Sequence, residues 1–216
     1  MRKWEHLPDE MRNQEVLYYY EELKKKWGAL VAKRCFDVVM SLLLLIVLFP
    51  FMVLIGIAVK ATSPGEVIFR QVRVTTYGKR FRIYKFRTMV SGASGQGSQV
   101  TVSGDARVTG IGKFLRKVRL DELPQLLNIL KGEMSFVGTR PEVEKYVECY
   151  SDVMYATLLL PAGVTSTASI QYKDEERLLS QGKDVDKVYT KEILPAKMEY
   201  NLEYLSHYSF FRDISI

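Results

Sequence analysis

The longest apolar segment of the chain, residues 38–59, contains 22 residues and no charged side chain. As a helix it reaches about 33 Å, enough to cross a hydrocarbon core of about 30 Å. Pro50 lies near its middle, where a proline removes a backbone donor and favours a bend. Lys33 precedes the segment and Lys60 follows it, and basic flanks favour the cytoplasmic side. The pattern therefore favours a re-entrant helical hairpin bent at Pro50; a kinked transmembrane helix is the alternative.

Two shorter segments follow in which apolar and polar residues alternate, residues 67–74 and 81–89, joined around Tyr77-Gly78-Lys79. This alternation, with a glycine between the segments, predicts a β-hairpin. Because side chains alternate between the two faces of a strand, one face of the second strand carries two core residues and then two cations. These residues are Phe81, Ile83, Lys85 and Arg87.

The remaining chain has mainly helical periodicity, so the fold class expected is α+β, mainly helical with a small β-hairpin. Residues 91–104 are rich in Gly and Ser and are predicted to form a loop that would suit a lid. From Ile111 onward only helices are predicted. The predicted helices are residues 9–27, 113–119, 123–130 with a stop at Gly132, 146–160 and 191–208.

We divide the chain into an N-terminal helical extension (1–32), the apolar membrane segment (33–61) and a globular domain (62–216). The extension has one apolar stripe on an otherwise charged helix. Three placements are open for it: on the membrane surface, paired with another chain in a homo-oligomer, or solvated.

The net charge of +6 and the pI near 9.2 indicate anionic partners, either phosphates, anionic lipid headgroups or nucleic acid. Cys35 and Cys149 lie far apart and lack metal-ligand spacing, which is typical of reduced thiols in a cytosolic compartment. His6 and His207 are equally isolated. A zinc site or a Ser-His-Asp triad is therefore not expected.

Two adjacent carboxylates, Asp121 and Glu122, directly follow the cations Arg116, Lys117 and Arg119. One interpretation is local: Asp121 is a helix N-cap, and Glu122 is a first-turn acid favoured by the helix dipole. The other is chemical: the cations and the helix N-terminus hold a diphosphate, while the carboxylates bind a metal or attack phosphorus.

A second group of cations supports the chemical interpretation. Arg140 lies between Thr139 and Pro141, and Lys85 and Arg87 lie at the end of the predicted hairpin. Cations held on short, rigid segments suit phosphate oxygens, Arg by bidentate contact and Lys as a point charge. Candidate phosphate or nucleotide ligands are therefore Lys85, Arg87, Arg116 and Arg140.

Five motifs together resemble a known family, the monotopic polyprenyl-phosphate phosphoglycosyl transferases among the bacterial sugar transferases. The resemblance runs from about Lys33 to the C-terminus, and the ordered set is specific although each motif alone is weak. The motifs are Lys33-Arg34-Cys35-Phe36-Asp37, Phe69-Arg70-Gln71, Lys85-Phe86-Arg87-Thr88-Met89, Leu120-Asp121-Glu122-Leu123-Pro124-Gln125-Leu126-Leu127-Asn128 and Lys131-Gly132-Glu133-Met134-Ser135-Phe136-Val137-Gly138.

The resemblance implies transfer of a sugar 1-phosphate from a UDP-sugar to polyprenyl phosphate, with release of UMP. It implies a re-entrant membrane helix, a place at the cytoplasmic face of the bacterial inner membrane, and the first membrane step of surface glycan assembly. By motif position, Asp121 corresponds to the nucleophile and Glu122 to its neighbour associated with Mg²⁺, so these two are the expected metal ligands. Arg116 and Arg140 correspond to phosphate-binding arginines.

Residues 161–170 depart from the family's usual pattern, so the identity of the sugar is open. We expect this segment near the nucleotide or sugar. The candidate specificity residues are Gly163, Thr165 and Ser166 within it and Gln171 directly after it.

Two other functions are compatible with parts of the sequence. Residues 67–104 hold seven Lys or Arg and no acid, interleaved with aromatic residues, as in a non-catalytic membrane-anchored module that binds anionic lipid or nucleic acid. Such a module has no need of an Asp-Glu pair at a helix start. A UDP-sugar enzyme with a soluble acceptor is the third reading. We favour the transferase and expect no nucleic-acid partner.

Overall fold

A computed structural model of the chain describes residues 1–92, 104–179 and 184–216. The predicted loop at residues 91–104 thus falls almost entirely outside the described residues. The helices are α1 (Gln14–Lys25), α2 (Trp27–Thr62), α3 (Gly110–Lys117), α4 (Leu126–Lys131), α5 (Glu144–Val147), α6 (Thr167–Gln171), α7 (Glu175–Leu179), α8 (Val185–Val188), α9 (Leu194–Ser206) and α10 (Phe210–Ser215). The strands are β1 (Ile68–Thr75), β2 (Lys79–Phe86), β3 (Met134–Val137) and β4 (Ala162–Thr165), and the α+β class is confirmed.

The apolar segment is part of α2, a continuous helix of 36 residues that passes through Pro50 where the pattern predicted a bend. Of the described helices, α2 alone has the length and composition to cross a membrane. It begins at Trp27, so the boundary predicted at residue 33 falls inside a helix. Its re-entrant placement stays a prediction.

One face of α2 lies along the globular domain. Near its start, Asp37 accepts a hydrogen bond from the backbone of β3, and near its end the buried Val59 packs with Phe86 and Leu115. The opposite face is apolar and exposed, with Ile46 and Phe49 among its most exposed side chains. Both ends of α2 therefore contact the same globular body.

The first 32 residues pack into the main core rather than forming a separate unit. Met11, Val16 and Leu23 are fully buried there, against residues of α9 and of the 3₁₀ helix Asp152–Leu159. The buried face of α1 is thus covered by the chain's own globular domain.

The hairpin is confirmed: β1 and β2 pair antiparallel from Ile68–Phe86 to Thr75–Lys79, with the turn at Thr76–Gly78. Phe81 and Ile83 are buried on one face, as predicted. The stop at Gly132 is also confirmed, since this residue has φ +84° and ends α4.

Two expectations for the second half of the chain were wrong. β3 and β4 form a parallel two-stranded sheet in a region predicted to be helical only. The helix predicted at residues 146–160 is instead α5 followed by the 3₁₀ helix Asp152–Leu159. Strands of four residues are too short for periodicity to reveal, and Leu158 to Leu160 are apolar because they fill the core.

Candidate active site

Asp121 and Glu122 lie in a 3₁₀ helix, Leu120–Gln125, that precedes α4, and their exposures are 6% and 9%. Arg119 occupies the N-cap position with a left-handed backbone (φ +58°), which turns the chain sharply after α3. The interpretation of Asp121 as an N-cap is therefore wrong. Among the described residues its Oδ1 is buried and has no hydrogen-bond partner.

Glu122 is held between two cations that come from separate elements. Its Oε1 accepts from Lys85 Nζ of β2 at 2.7 Å and from Arg140 Nη2, on the segment after β3, at 2.9 Å. Burial alone would raise the pKa of Glu122, but Arg140 and Lys85 together hold that pKa well below its usual range. Glu122 is thus a fixed anion.

The two cations are affected in opposite directions. Burial, aided by the nearby charge of Arg140, lowers the pKa of Lys85 to about 8 in spite of its pairing with Glu122. The charge of Glu122 raises the pKa of Arg140. Of these two cations, Lys85 is therefore the one that loses its proton closer to neutral pH.

Asp121 differs from its neighbour. Burial raises its pKa, and the cations Lys85 and Arg116, which act to lower it, do not outweigh burial. Although cations surround this carboxyl, desolvation has the larger effect on its pKa.

The structure brings Arg116 to the dyad but commits Arg87 elsewhere. Arg116 is in the last turn of α3, where its Nε donates to Thr88 Oγ1 at 3.0 Å, and its charge acts on Asp121. The guanidinium of Arg87 donates to the carbonyl and hydroxyl oxygens of Ser63 at 2.6 and 2.7 Å. It thereby closes the C-terminal end of α2, so its predicted contact with phosphate is not supported by its position.

The candidate specificity segment lies beside Arg140. Gly163 N donates to Thr139 O at 2.8 Å, and Gly138 N donates to Thr165 O at 3.0 Å. A Cβ added to Gly163 would lie 2.2 Å from Gly138 N, so only glycine allows this close approach. The segment thus fixes the backbone from which Arg140 extends.

The remaining specificity candidates have other positions. Ser166 caps α6 by accepting from Ser169 N at 3.0 Å. Gln171 is exposed at the end of the same helix. The Ser166 contact does not involve the carboxylate dyad.

Asn128 and Gln125 are two buried polar residues beside the site that were not among the predicted site residues, although both belong to the motif at residues 120–128. Asn128 is fully buried, accepts from Tyr84 N at 3.0 Å and donates to Arg82 O at 2.8 Å, and so fastens α4 to β2 beside Lys85. Gln125 is 1% exposed, and neither amide atom has a partner among the described residues. The sequence feature that could have indicated them is a polar residue among the leucines of the predicted helix at residues 123–130.

The donor set fits a magnesium ion of the kind that completes its coordination with substrate. Within the described ranges no group of three or more His, Cys, Asp or Glu side chains is placed to hold a metal. Mg²⁺ is commonly bound by one or two carboxylates together with substrate phosphates and waters. The buried, unpartnered Oδ1 of Asp121 beside Glu122 suits that arrangement.

A cavity of about 520 Å³ lies away from the dyad, at the turn end of the hairpin. Lys79 lines it, whereas Lys85 at the dyad is six positions further along β2, about 20 Å at the rise of an extended strand. The cavity is therefore separate from the site built on Asp121 and Glu122.

The sequence matches the family model described as bacterial sugar transferase over residues 28–216. The UDP-glucose:undecaprenyl-phosphate glucose-1-phosphate transferase of Klebsiella pneumoniae is 37% identical, covering 87% of this chain and 38% of the relative. The UDP-N-acetylgalactosamine-undecaprenyl-phosphate N-acetylgalactosaminephosphotransferase of Aeromonas hydrophila is 34% identical, covering 85% and 41%. The chain spans about two fifths of the length of these curated relatives. It belongs to the bacterial sugar transferase family.

Proposed function

We propose that this chain transfers a sugar 1-phosphate from a UDP-sugar to polyprenyl phosphate, giving a polyprenyl-diphosphate sugar and UMP, as the first membrane step of surface glycan assembly. The names of its relatives support this reaction class. The observation that carries the proposal is the pairing of a fixed anion with a reactive one: Glu122 is bound by two cations, while the adjacent buried Oδ1 of Asp121 has no partner among the described residues.

In the first step, a carboxylate oxygen of Asp121 attacks the phosphorus that bears the sugar. A bond forms between that oxygen and phosphorus, and the bond from phosphorus to the bridging oxygen breaks, so that UMP leaves with the electron pair. Asp121 needs no general base for this attack when it is ionised. Burial raises its pKa, and the charges of Lys85 and Arg116 act against burial to favour the ionised form.

In the second step, a phosphate oxygen of polyprenyl phosphate attacks the same phosphorus. The acyl phosphate bond breaks and the Asp121 carboxylate is regenerated. The transfer is thereby divided into two displacements with an aspartyl-phosphosugar between them, which implies ping-pong kinetics.

Positive charge would hold the donor's diphosphate. Arg140 and Lys85 already meet at one oxygen of Glu122, and Arg116 acts on Asp121 from α3. Asp121 and Glu122 would hold Mg²⁺, which when bound supplies neutralising charge to the diphosphate.

The membrane helix would serve the lipid acceptor. The exposed face of α2 includes Ile46, Phe49 and Leu54, each more than 60% exposed, while both ends of the helix contact the globular domain. These contacts support a re-entrant placement on the cytoplasmic face of the inner membrane. The acceptor's polyprenyl tail would then lie along the apolar face of α2, with its phosphate directed to Asp121.

Intact-protein mass spectrometry tests the covalent step. Enzyme incubated with UDP-sugar and Mg²⁺ but no acceptor should gain the mass of one phosphosugar, and Asp121→Asn should gain none. The Asn variant should also lose about a thousandfold or more in rate, the scale seen when a nucleophile is removed. No adduct together with strictly acceptor-dependent UMP release would indicate direct displacement, with Asp121 as a metal ligand only.

A panel of UDP-sugars with polyprenyl phosphate and with soluble alcohol acceptors tests the substrates. Turnover should require the polyprenyl phosphate, and the preferred donor identifies the sugar. Transfer to a soluble acceptor with no lipid dependence would instead favour the soluble-acceptor enzyme.

A further inference from the structure

Lys33, near the start of α2, is a buried lysine bound to two distant parts of the chain. Its side chain is 7% exposed. Its Nζ donates to Val137 O at 2.8 Å and forms an ion pair with Asp213 of α10, which also accepts from Tyr204 OH at 2.7 Å. Burying a lysine is costly unless it is paired and hydrogen-bonded, so these contacts define its position closely.

Asp37 lies one turn further along α2 and contacts Phe136, the residue before Val137 in β3. Its Oδ1 accepts from Phe136 N at 3.2 Å, and Asp37 is only 3% exposed. Residues four apart share a helix face, so Lys33 and Asp37 together bind a donor and an acceptor at the end of β3. We call these two residues the β3 clamp.

The backbone between the clamp and Arg140 is short and constrained. Val137 ends β3, and only Gly138 and Thr139 separate it from Arg140. Both intervening residues are hydrogen-bonded to β4, through Gly138 N to Thr165 O and Gly163 N to Thr139 O. Val137 and Arg140 are thus joined by a short, constrained backbone segment, and Arg140 Nη2 lies 2.9 Å from Glu122 Oε1.

We propose that Lys33 and Asp37 are positioning residues that set Arg140 against Glu122 according to how the membrane helix is seated on the globular domain. The helix that contacts lipid thereby contributes to the geometry of the donor site. The kinetic part of this inference rests on the proposed transferase function.

A double-mutant cycle between Lys33 and Arg140 tests the coupling, with kcat/KM for the UDP-sugar as the readout. Removing Lys33 alone would leave Asp213 as an unpaired buried charge, so Lys33→Met is always made together with Asp213→Asn, in which the Asn oxygen still accepts from Tyr204, and is compared with the wild-type pair. Lys33→Met below denotes this double change. Lys33→Met should lower kcat/KM about tenfold when Arg140 is present and less than about twofold when Arg140 is already Ala.

Arg34→Met is the matched control. Arg34 is the next residue of α2 and donates to Ile129 O and Leu130 O of α4 at 2.6 and 2.9 Å, not to β3. Its effect should be the same factor in both Arg140 backgrounds. If Lys33→Met is likewise multiplicative with Arg140→Ala, Lys33 has a general structural role and the proposal is overturned.

Asp37 provides a second variant that leaves the ion pair intact. Asp37→Ala removes the acceptor for Phe136 N and should show the same coupling to Arg140, whereas Asp37→Asn keeps an acceptor oxygen and should restore most of the rate. Equal losses for Ala and Asn would contradict the clamp.

Amide hydrogen exchange separates this inference from the proposed function. If the wild-type protein has no transferase activity, the proposed function fails, but the clamp still predicts faster exchange at Phe136 and Gly138 in the Lys33→Met protein than in Arg34→Met. Unchanged exchange at these amides would overturn the clamp whatever the activity.

Discussion

Two neighbouring carboxylates in this protein have opposite surroundings. Glu122 shares one oxygen with Lys85 and Arg140, and its pKa is held well below its usual range. Asp121 is buried with an unpartnered Oδ1, and burial raises its pKa. Glu122 therefore contributes to the stability of the site, whereas the charge on Asp121 opposes folding and is available for chemistry.

This contrast predicts opposite effects of neutral substitutions on stability. A raised folded-state pKa means that the ionised form of Asp121 is disfavoured by folding at neutral pH, so Asp121→Asn should raise the melting temperature while activity is lost. Glu122→Gln leaves Lys85 and Arg140 without their anion and should lower the free energy of unfolding by about 3–5 kcal/mol. Thermal unfolding of both variants in one detergent makes the comparison. A lower melting temperature for Asp121→Asn would mean that Asp121 is a structural anion.

The proposed metal also concerns individual residues, because in the proposed reaction two carboxylates and the donor's diphosphate bring like charges together. Chelation with EDTA should abolish UMP release, and added Mg²⁺ should restore it. Ca²⁺, which prefers more ligands and longer bonds, serves as the comparison ion. Full turnover in excess chelator would remove the metal from the mechanism.

Among the secondary-structure elements, α2 has two faces with different surroundings. Its inner face contacts β3, α4 and the hairpin, while its outer face exposes aliphatic and aromatic side chains. A straight membrane-crossing helix would lead one end away from the globular domain, yet Lys33 and Val59 both contact it. This geometry favours a helix that enters and leaves on one side.

Cysteine labelling in membrane vesicles tests that topology. With Cys35 and Cys149, both exposed, replaced by Ser, single cysteines at the exposed positions Lys24 and Ala61 should both be labelled only from the cytoplasmic side. Labelling from opposite sides would show that α2 crosses the bilayer.

Pro50 tests the cause of the topology in the same assay. Pro50→Ala restores a backbone donor and should shift part of the population to opposite-side labelling, with a parallel loss of activity. Leu54→Ala, on the exposed face, is the control and should keep the wild-type pattern. Unaltered labelling and activity in Pro50→Ala would show that the proline does not set the topology.

At the scale of the whole molecule, the N-terminal extension and the globular domain share one hydrophobic core. Leu23 and Val16 of α1 have no exposed surface, and Asn13 Nδ2 donates to Asp152 O at 3.2 Å. The charged outer face of α1 concealed this from the sequence, because amphipathicity shows that a face is covered but not by what.

Leu23→Ala should therefore lower the free energy of unfolding by about 2–5 kcal/mol, as expected for a large-to-small change in a core. Tyr18→Ala on the same helix, where Tyr18 is 59% exposed, should change it by less than about 0.5 kcal/mol. Thermal unfolding of the two proteins in detergent provides the measurement. Equal small effects would indicate that the extension does not share the core.

Features that depend on neighbouring residues could be recognised from the amino-acid sequence alone. The apolar run, the alternation that produced the hairpin, the glycine that ends α4 and the adjacency of Asp121 to Glu122 are all local. Local periodicity and backbone preference have a physical effect over a few residues, so they can be recognised without knowledge of the fold.

Which distant side chains contact each other depends on the packing of the folded chain. Glu122 is paired with Lys85, 37 residues away, and Arg140, 18 residues away. Arg87, which is equally basic, instead donates to Ser63 O at the C-terminal end of α2. Lys33 and Asp213 pair across 180 residues. Such partners are chosen by burial, because a charge removed from water must find whichever opposite charge or carbonyl the packing brings to it, and the packing is a property of the whole chain.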